Sequence, residues 1–414
     1  MYAAAAAINN YKKLIRETEQ GLNAPVLFLR GVVAVNEPRS LERKLIRHIQ
    51  RKGFLKTANG SLNIAVLMPG KIVISTSKNE NKILVTRKQI RRAIRLMQIQ
   101  RTLVRKDLEK ISPFSSALFG ILIHVYAGKS KLQKLKNGLF RLSLLGVRFF
   151  AGGLERDKTI LEEYQKLGGK FLLYNYFQLL QSSSSWLQHL YVNDLYCIID
   201  SGSYSIFQEK QKRKKCAFPQ QQLLNEETLT DQYIEGYASF IEAHKNEKRI
   251  LGFFPFDCIG DPVQTKMNYK RLIELTNAKI YPVWQITDSL DELQRLIDEE
   301  PEMIGIGGIV PFLGNRLDQV KIMLRKVFDC FPNVNFHLLG VANKFLLEFP
   351  CFSSDSTAFI NARKSKKQRK IYLEDGTRIC APSHMSTLEI IKQNLSYLIS
   401  LEDLEQNKQL KLSL

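Results

Sequence analysis

Three aspartates, one glutamine and a set of glycines stand where short apolar runs of this sequence come to a stop. Asp200 interrupts Tyr196–Gly202 (YCIIDSG), and Asp257 closes Arg249–Cys258 (RILGFFPFDC). Gln285 lies at the end of Lys279–Ile286 (KIYPVWQI), and Gly307-Gly308 in Met303–Ile309 (MIGIGGI). Gly340 ends Asn335–Val341 (NFHLLGV), and Asp355 ends Cys351–Thr357 (CFSSDST). Carboxylates so placed are groups for proton transfer or for attack on an electrophilic carbon. Glycine lets the backbone approach a flat ligand closely. A single aspartate there could merely cap the next helix. Three of them, with Gln285 and paired glycines, point to a site. Asp261, in Gly260-Asp261-Pro262, reads as a helix cap. His337, in mid-run, reads as a core residue with its polar atoms satisfied. Cys258 beside Asp257 reads as a space-filler.

Positioning these residues takes eight strands. Two further runs, Val147–Gly152 (VRFFAG) and Lys170–Phe177 (KFLLYNYF), precede the six above. Helical stretches separate the runs at Lys158–Leu167, Asp231–Asn246, Gln264–Thr276, Ser289–Glu299, Leu317–Cys330 and, briefly, Asn343–Phe349. A final helix is expected near Thr387–Ile399. Eight strands alternating with helices is the arithmetic of an α/β (β/α)8 TIM barrel. A doubly wound open sheet competes. However, no Gly-x-Gly-x-x-Gly follows the first strand, which holds only Ala151-Gly152-Gly153. Barrel enzymes keep their active sites at the C-terminal ends of the strands, where the polar residues above fall.

Charge divides the chain unevenly. The net charge is +21, from 61 Lys+Arg against 40 Asp+Glu. Residues 1–146 hold 28 basic and 7 acidic residues, and the remainder 33 of each. The expectation is a basic α+β nucleic-acid-binding domain over 1–146 and a catalytic barrel over 147–414. Within the first domain the spacing predicts a helix over 39–52, capped by Ser40 and stopped by Gly53. Strands follow at Leu62–Met68, Lys71–Ser75 and Lys82–Thr86. A second helix is expected from Arg87 to Lys110, with Ile90, Ile94, Leu96, Met97 and Leu103 inward. Arg87, Lys88, Arg91, Arg92, Arg95, Arg101, Arg105 and Lys106 crowd its other side, with no acid among them. Such a surface contacts phosphates in a salt-dependent way. A second basic run, Arg363–Lys370 (RKSKKQRK), follows Asp355 by about eight residues. Its Arg363, Lys364, Lys366 and Lys367 are candidates to clamp a phosphate backbone.

The composition, 44% hydrophobic, 10% aromatic and 24% charged, fits a folded soluble protein. Ile111 to Gly128, the longest apolar stretch, reads as a buried helix or strand pair, so no membrane partner is expected. Six scattered cysteines without a Cys-x-x-Cys favour a reducing compartment. The first 16 residues lack a secretory leader. They carry Lys12, Lys13 and Arg16. The expected location is cytoplasmic, or an organelle stroma.

At its strand ends the sequence resembles the tRNA-guanine transglycosylase family. Asp200-Ser201-Gly202-Ser203-Tyr204 is similar to the family's Asp-Ser-Gly-Gly-Phe/Tyr. Phe256-Asp257 matches its guanine-recognising Phe-Asp, and Gln285 stands at its Val-Gln-Gly strand end. Ile306-Gly307-Gly308-Ile309 resembles Gly-Gly-Leu-Ala, and His337-Leu338-Leu339-Gly340-Val341 resembles Tyr-Leu-Met-Gly-Val. Asp355 falls at the family's nucleophilic aspartate. Three departures stand out. Ser203 replaces a glycine, Gln285 lacks the following glycines, and only Cys380 and His384 remain of the C-terminal Cys-x-Cys-x-x-Cys…His zinc site. Four ligands are needed for tetrahedral zinc, so no structural metal and no cofactor are expected. A divergent branch of the family, found in bacteria and phages, inserts 7-deazaguanine bases into DNA. The zinc-free barrel with Phe-Ala-Gly-Gly opening its first strand resembles that branch more.

The resemblance implies a pentosyltransferase, a guanine transglycosylase exchanging guanine for a 7-deazaguanine such as preQ0. Asp355 would attack C1′ and form a covalent glycosyl-enzyme. Asp200 would carry the proton to and from the base. Ser201, Gly202, Tyr204, Asp257, Gln285, Gly307, Gly308 and Gly340 would bind the base, with Tyr204 stacking on it or, alternatively, lying in the core. The implied partners are nucleic acid, DNA before tRNA, the guanine or deazaguanine base, and accessory proteins of a modification system. Other readings are the same chemistry on RNA, a non-catalytic nucleic-acid-binding barrel, and a barrel hydrolase of phosphorylated small molecules.

Overall fold

The computed structural model describes residues 38–76, 79–181, 185–206, 226–313 and 316–403. The leader region with Lys12, Lys13 and Arg16 lies outside them.

Helix α1 (Pro38–Lys52) buries Leu41, Leu45 and Ile49, one residue per turn on one side. It begins at Pro38, so Ser40 lies in its first turn rather than capping it. Gly53 ends it at φ +70°, its N–H donating to the Ile49 carbonyl (2.8 Å). Four antiparallel strands follow in spatial order: β1 (Phe54–Lys56), β2 (Leu62–Met68), β3 (Lys71–Thr76) and β4 (Asn79–Thr86). Thr86 then caps α2 (Arg87–Gln100) in a reciprocal box with Gln89.

The expected helix to Lys110 stops at Arg101, which turns left-handed at φ 60°. Leu103 therefore lies in strand β5 (Thr102–Val104), not on a helical stripe. Arg101, expected on the cationic surface, is 1% exposed. Helix α3 (Ser115–Val125) accounts for the apolar stretch, and no helix among the described residues is long and apolar enough to cross a membrane. Strands β6 (Ser130–Lys134) and β7 (Phe140–Leu144) pair as a hairpin and, with β5, form a three-stranded antiparallel sheet. These N-terminal elements share a hydrophobic core of their own.

Eight parallel strands follow: β8 (Arg148–Gly152), β9 (Phe171–Asn175), β10 (Tyr196–Asp200), β11 (Ile250–Phe253), β12 (Val283–Gln285), β13 (Ile304–Gly307), β14 (Phe336–Leu338) and β15 (Ser353–Ser356). Each falls within a run expected from the sequence. Their spatial order is β11-β10-β9-β8-β15-β14-β13-β12. A parallel bridge between Phe253 and Ile280 joins the two ends of that order. There the Phe253 N–H donates to the Lys279 carbonyl (3.1 Å), and the Tyr281 N–H to the Phe253 carbonyl (2.9 Å). The fold is a (β/α)8 barrel preceded by two separate antiparallel sheets. Helices α4 (Lys158–Lys166), α5 (Tyr176–Leu179), α6 (Trp186–Val192), α7 (Glu226–His244), α8 (Pro262–Leu275), α9 (Leu290–Asp298), α10 (Leu317–Cys330) and α11 (Phe345–Glu348) connect the strands. A β-hairpin, β16 (Lys370–Tyr372) and β17 (Arg378–Cys380), precedes α12 (Thr387–Ser400).

Side chains alternate between the two faces of each strand. Cys197, Ile199, Trp284, Ile304, Ile306, Phe336 and Leu338 pack outward in the main core. Phe150, Ile198, Phe254, Tyr281, Val283 and Met303 fill the inside of the barrel. Two residues beyond Ile198 and Val283, the same inward face carries Asp200 and Gln285.

The N-terminal elements grip the barrel where its strands begin. Arg148, the first residue of β8 and 3% exposed, donates to the carbonyls of Gln98 and Ile99 and pairs with Glu402. Arg101 donates to the carbonyls of Leu145 (2.6 Å) and Gly146 (2.8 Å) and also meets Glu402 (3.4 Å). Arg141 donates to the carbonyls of Pro301 and Glu300, just before β13. Asn335, just before β14, donates to Ser143 Oγ (3.0 Å). Arg148→Ala would take from Glu402 its shorter ion pair, leaving Arg101 alone, and would leave two carbonyls in this seam without that donor. Stability is expected to fall by about 2–3 kcal/mol in urea unfolding, below the cost of a fully broken buried pair because Arg101 remains beside Glu402. A loss under about 1 kcal/mol, the worth of an exposed pair, would show that the seam does not depend on it.

Candidate active site

At the other end of the barrel the strands finish in polar residues. Asp200 is the last residue of β10, and the backbone then turns sharply. Gly202 sits at φ +87°, and a Cβ there would meet Asn175 Oδ1 at 2.5 Å and Phe177 Cβ at 2.7 Å. Only glycine fits, and its N–H donates to Asp200 Oδ2 (2.9 Å). Ser201 is fully buried, and its carbonyl accepts the Tyr233 hydroxyl. Tyr204 is 43% exposed, which excludes the core alternative for it.

Asp257 lies in the loop after β11 and is 8% exposed. Its Oδ1 accepts the Ser203 hydroxyl, and its Oδ2 accepts the Gln285 amide N–H (3.1 Å). Gln285, 1% exposed, ends β12. A Cβ on Gly307 would lie 2.8 Å from Gln285 Nε2 and 3.2 Å from Asp257 Oδ2, and one on Gly308 2.6 Å from Gln285 Oε1. The paired glycines thus make room for the amide. Gln285 Oε1 is buried and accepts no hydrogen bond. An unpaired buried acceptor is costly, and a donor from a ligand would satisfy it.

Asp355 lies in β15 and is 7% exposed. Its Oδ1 accepts the Gly340 N–H (2.9 Å) and faces His337 Nε2 (3.1 Å). Gly340, at φ +73°, would place a Cβ 2.6 Å from Val310.

The aspartates differ in electrostatics. Burial, and then the nearby Asp257, push Asp200 up to about 8. Burial also raises Asp257, but the Ser203 and Gln285 donors oppose the shift. Donors stabilise the ionised form. Asp257 thus has a donor on each oxygen, whereas Asp200 is a neutral acid at pH 7. Two carboxyls so differently furnished with donors suit distinct tasks.

The fold therefore gathers Asp200, Asp257, Gln285, Gly307, Gly308, Gly340 and Asp355 at one mouth. Two further residues take part that the sequence reading left aside. Ser203, seen only as a departure from a glycine motif, holds Asp257. His337, read as core, is indeed fully buried but bonds Asp355 directly. Asp261 caps α8, accepting the Gln264 N–H (2.9 Å), as expected.

The cationic residues fall into two groups. Arg363, Lys364, Lys366 and Lys367 are exposed in the turns following β15, beside the mouth, where Arg363 pairs with Asp157. The α2 cations lie at the opposite end. Arg95 approaches Asp194 (3.8 Å), which precedes β10. Six residues of near-extended chain, about 20 Å at the rise of a strand, separate Asp194 from Asp200. Arg87 and Arg91 are paired with the buried Glu42 (3.1 and 3.2 Å). Arg39, Lys88, Arg91, Arg92 and Arg95 line an open hollow of about 490 Å³.

The raised Asp200 has a consequence for stability. Between the ordinary carboxylate range and about pH 8, the unfolded chain has lost this proton while the folded chain keeps it. Stability therefore falls as pH rises through that window and levels off above it. Asp200→Asn does not titrate. Its urea midpoint is expected to gain on the wild type as pH rises from about 5 to about 8. A pH-independent difference would refute the raised proton affinity.

No protein-family model matches this chain, and no curated protein matches it. Among solved structures it is similar to a protein from Aquifex aeolicus VF5, with 10% identity and a TM-score of 0.35 over 63% of this chain and 93% of that one. It is also similar to a mutant tryptophan synthase alpha-subunit from the hyperthermophile Pyrococcus furiosus. That likeness has 8% identity and a TM-score of 0.35 over 62% of this chain and 98% of that one.

Proposed function

We propose that this protein is a guanine transglycosylase that exchanges guanine in DNA for a 7-deazaguanine base. The observation that carries this reading is the division of labour among three aspartates at one barrel mouth. One is a neutral acid, one an acceptor held by Ser203 and Gln285, and one a carboxylate held by main-chain and ring N–H groups. The order of motifs that resembles the transglycosylase family falls on the same residues.

In the first step Asp355 forms an oxygen–C1′ bond while the C1′–N9 bond breaks with its electron pair on guanine. Asp200, protonated at neutral pH, gives its proton to the departing base. In the second step the incoming base returns a proton to Asp200. Its N9 attacks C1′, and Asp355 leaves as carboxylate. Asp257 accepts from the N–H edge of the purine, and Gln285 Oε1 takes a further donor. In this reading the exposed Tyr204 stacks on a base drawn out of its helix.

The two cationic groups have different tasks in this reading. Arg363, Lys364, Lys366 and Lys367 meet phosphates next to the reacting nucleotide. Lys88, Arg92 and their α2 neighbours hold the polymer about 20 Å or more away along the barrel wall.

The test is to incubate the full chain with guanine-containing duplex DNA or, separately, with tRNA, plus radiolabelled guanine or 7-cyano-7-deazaguanine. Label is expected in DNA and not with Asp355→Ala, which should lose activity by at least about a thousandfold. Label in tRNA alone would overturn the DNA assignment, and label in neither would sink the reaction.

A second comparison separates the cations. Charge reversal of Lys366 and Lys367 is expected to lower kcat and to flatten the salt dependence of kcat/KM. Reversal of Lys88 and Arg92 should weaken polymer binding and leave kcat unchanged. Equal effects on kcat from both pairs would refute the division.

A further inference from the structure

His337 is fully buried inside the barrel, 4.9 Å from the ring centre of Phe254 and 5.9 Å from that of Phe150. An imidazole gains nothing over a phenyl ring in such surroundings unless both its nitrogens are used. Both are. Nδ1 lies 2.9 Å from Ser353 Oγ, and Nε2 lies 3.1 Å from Asp355 Oδ1. The hydroxyl of Ser353 has two acceptors within reach, Nδ1 and Met303 Sδ (3.2 Å). Nitrogen is much the stronger acceptor. With the Ser353 proton on Nδ1, the ring proton stands on Nε2 and points at Asp355. The tautomer is thus assigned by the hydrogen-bond network.

Both donors to Asp355, the Gly340 N–H and the His337 Nε2–H, fall on the same oxygen, Oδ1. Among the described residues Oδ2 accepts no hydrogen bond. One oxygen is pinned from two directions, and the carboxylate cannot rotate without losing both bonds. We infer that His337 is a positioning residue: it fixes Oδ1 of Asp355 so that Oδ2 faces the mouth as the attacking atom. The inference rests on the proposed role of Asp355. Ser353 in turn fixes the ring, so the relay runs Ser353, His337, Asp355 along two adjacent strands, β14 and β15. In the glycosyl-enzyme, Oδ1 is the ester carbonyl oxygen and keeps both donors. No proton changes place along the relay. Its work is geometric, and misplacement of a reacting atom by about 1 Å costs on the order of a hundredfold in rate.

The experiment uses the full chain and two replacements. His337→Phe removes both polar atoms and fits the aromatic surroundings, while His337→Gln keeps an N–H donor of similar reach. Urea midpoints are measured for His337→Phe, Asp355→Ala and the double variant, and base exchange for the His337 single variants. The expected result is non-additive midpoints, with the cost of His337→Phe shrinking once Asp355 is gone. His337→Phe is expected to lower kcat about a hundredfold with little change in KM, and His337→Gln to recover most of it. Additive midpoints would overturn the inference whatever the activity. Non-additive midpoints with unchanged kcat in His337→Phe would overturn the positioning role. If the wild type exchanges no base in either polymer, the proposed reaction fails. The urea cycle alone then decides whether His337 holds Asp355.

Discussion

Carboxyl groups withdrawn together from water are the constraint around which the upper end of this barrel is built. Each must be neutralised, hydrogen-bonded or left a little wet. The three aspartates use different solutions. Asp200 retains its proton and some exposure at the mouth. Asp257 draws donors from two other strand ends, through Ser203 and Gln285. Asp355 is tied to β14 through Gly340 and His337. Those ties involve five strand ends, so the electrostatics of the mouth also fix its shape. The glycines follow from the same constraint. Gly307 and Gly308 yield their side-chain volume to Gln285, and Gly202 yields its own to Asn175 and Phe177.

The opposite end of the barrel solves a different problem. There Arg101 and Arg148, both nearly without exposure, converge on the carboxylate of Glu402, while backbone carbonyls of the N-terminal elements accept from Nη2 of Arg101 and from both Nη groups of Arg148. Burial lowers Arg101 to about 10, and Glu402 opposes that shift. Cohesion and chemistry are thus kept a strand's length apart. Keeping that separation is a general feature of barrels, whose loops at one end vary while the other end holds the structure together.

Much of this was legible in the sequence because period and position carry it. Eight apolar runs, each ending in a polar or small residue, yield eight strands. Counting two residues on from Ile198 and Val283 puts Asp200 and Gln285 inside. What escaped depends on contacts between distant segments. Ser203 and Asp257 are 54 residues apart, and nothing local marks a serine as a carboxylate's partner. His337 has the neighbours of a core residue, and its role appears only when β15 lies alongside. Arg101 belonged by pattern to a cationic helix face. One residue in a left-handed conformation ended that helix and turned the guanidinium inward. The β6–β7 hairpin did carry a signal, Asn137-Gly138 between two short runs. The lysines in Ser130–Lys134 hid it, because that strand keeps one face in water.

The proton on Asp200 has one more effect, felt before any ligand arrives. A mouth lined by three ionised carboxylates would project a strong negative potential into solvent and repel an anionic polymer at long range. With Asp200 neutral the local field is weaker, and under the proposed function the cations after β15 would meet an approaching strand beside a less negative mouth. Above about pH 8 Asp200 adds its own negative charge, so under the proposed function alkaline solution would slow encounter as well as reaction. Low ionic strength would exaggerate the difference, because the screening length is then longest.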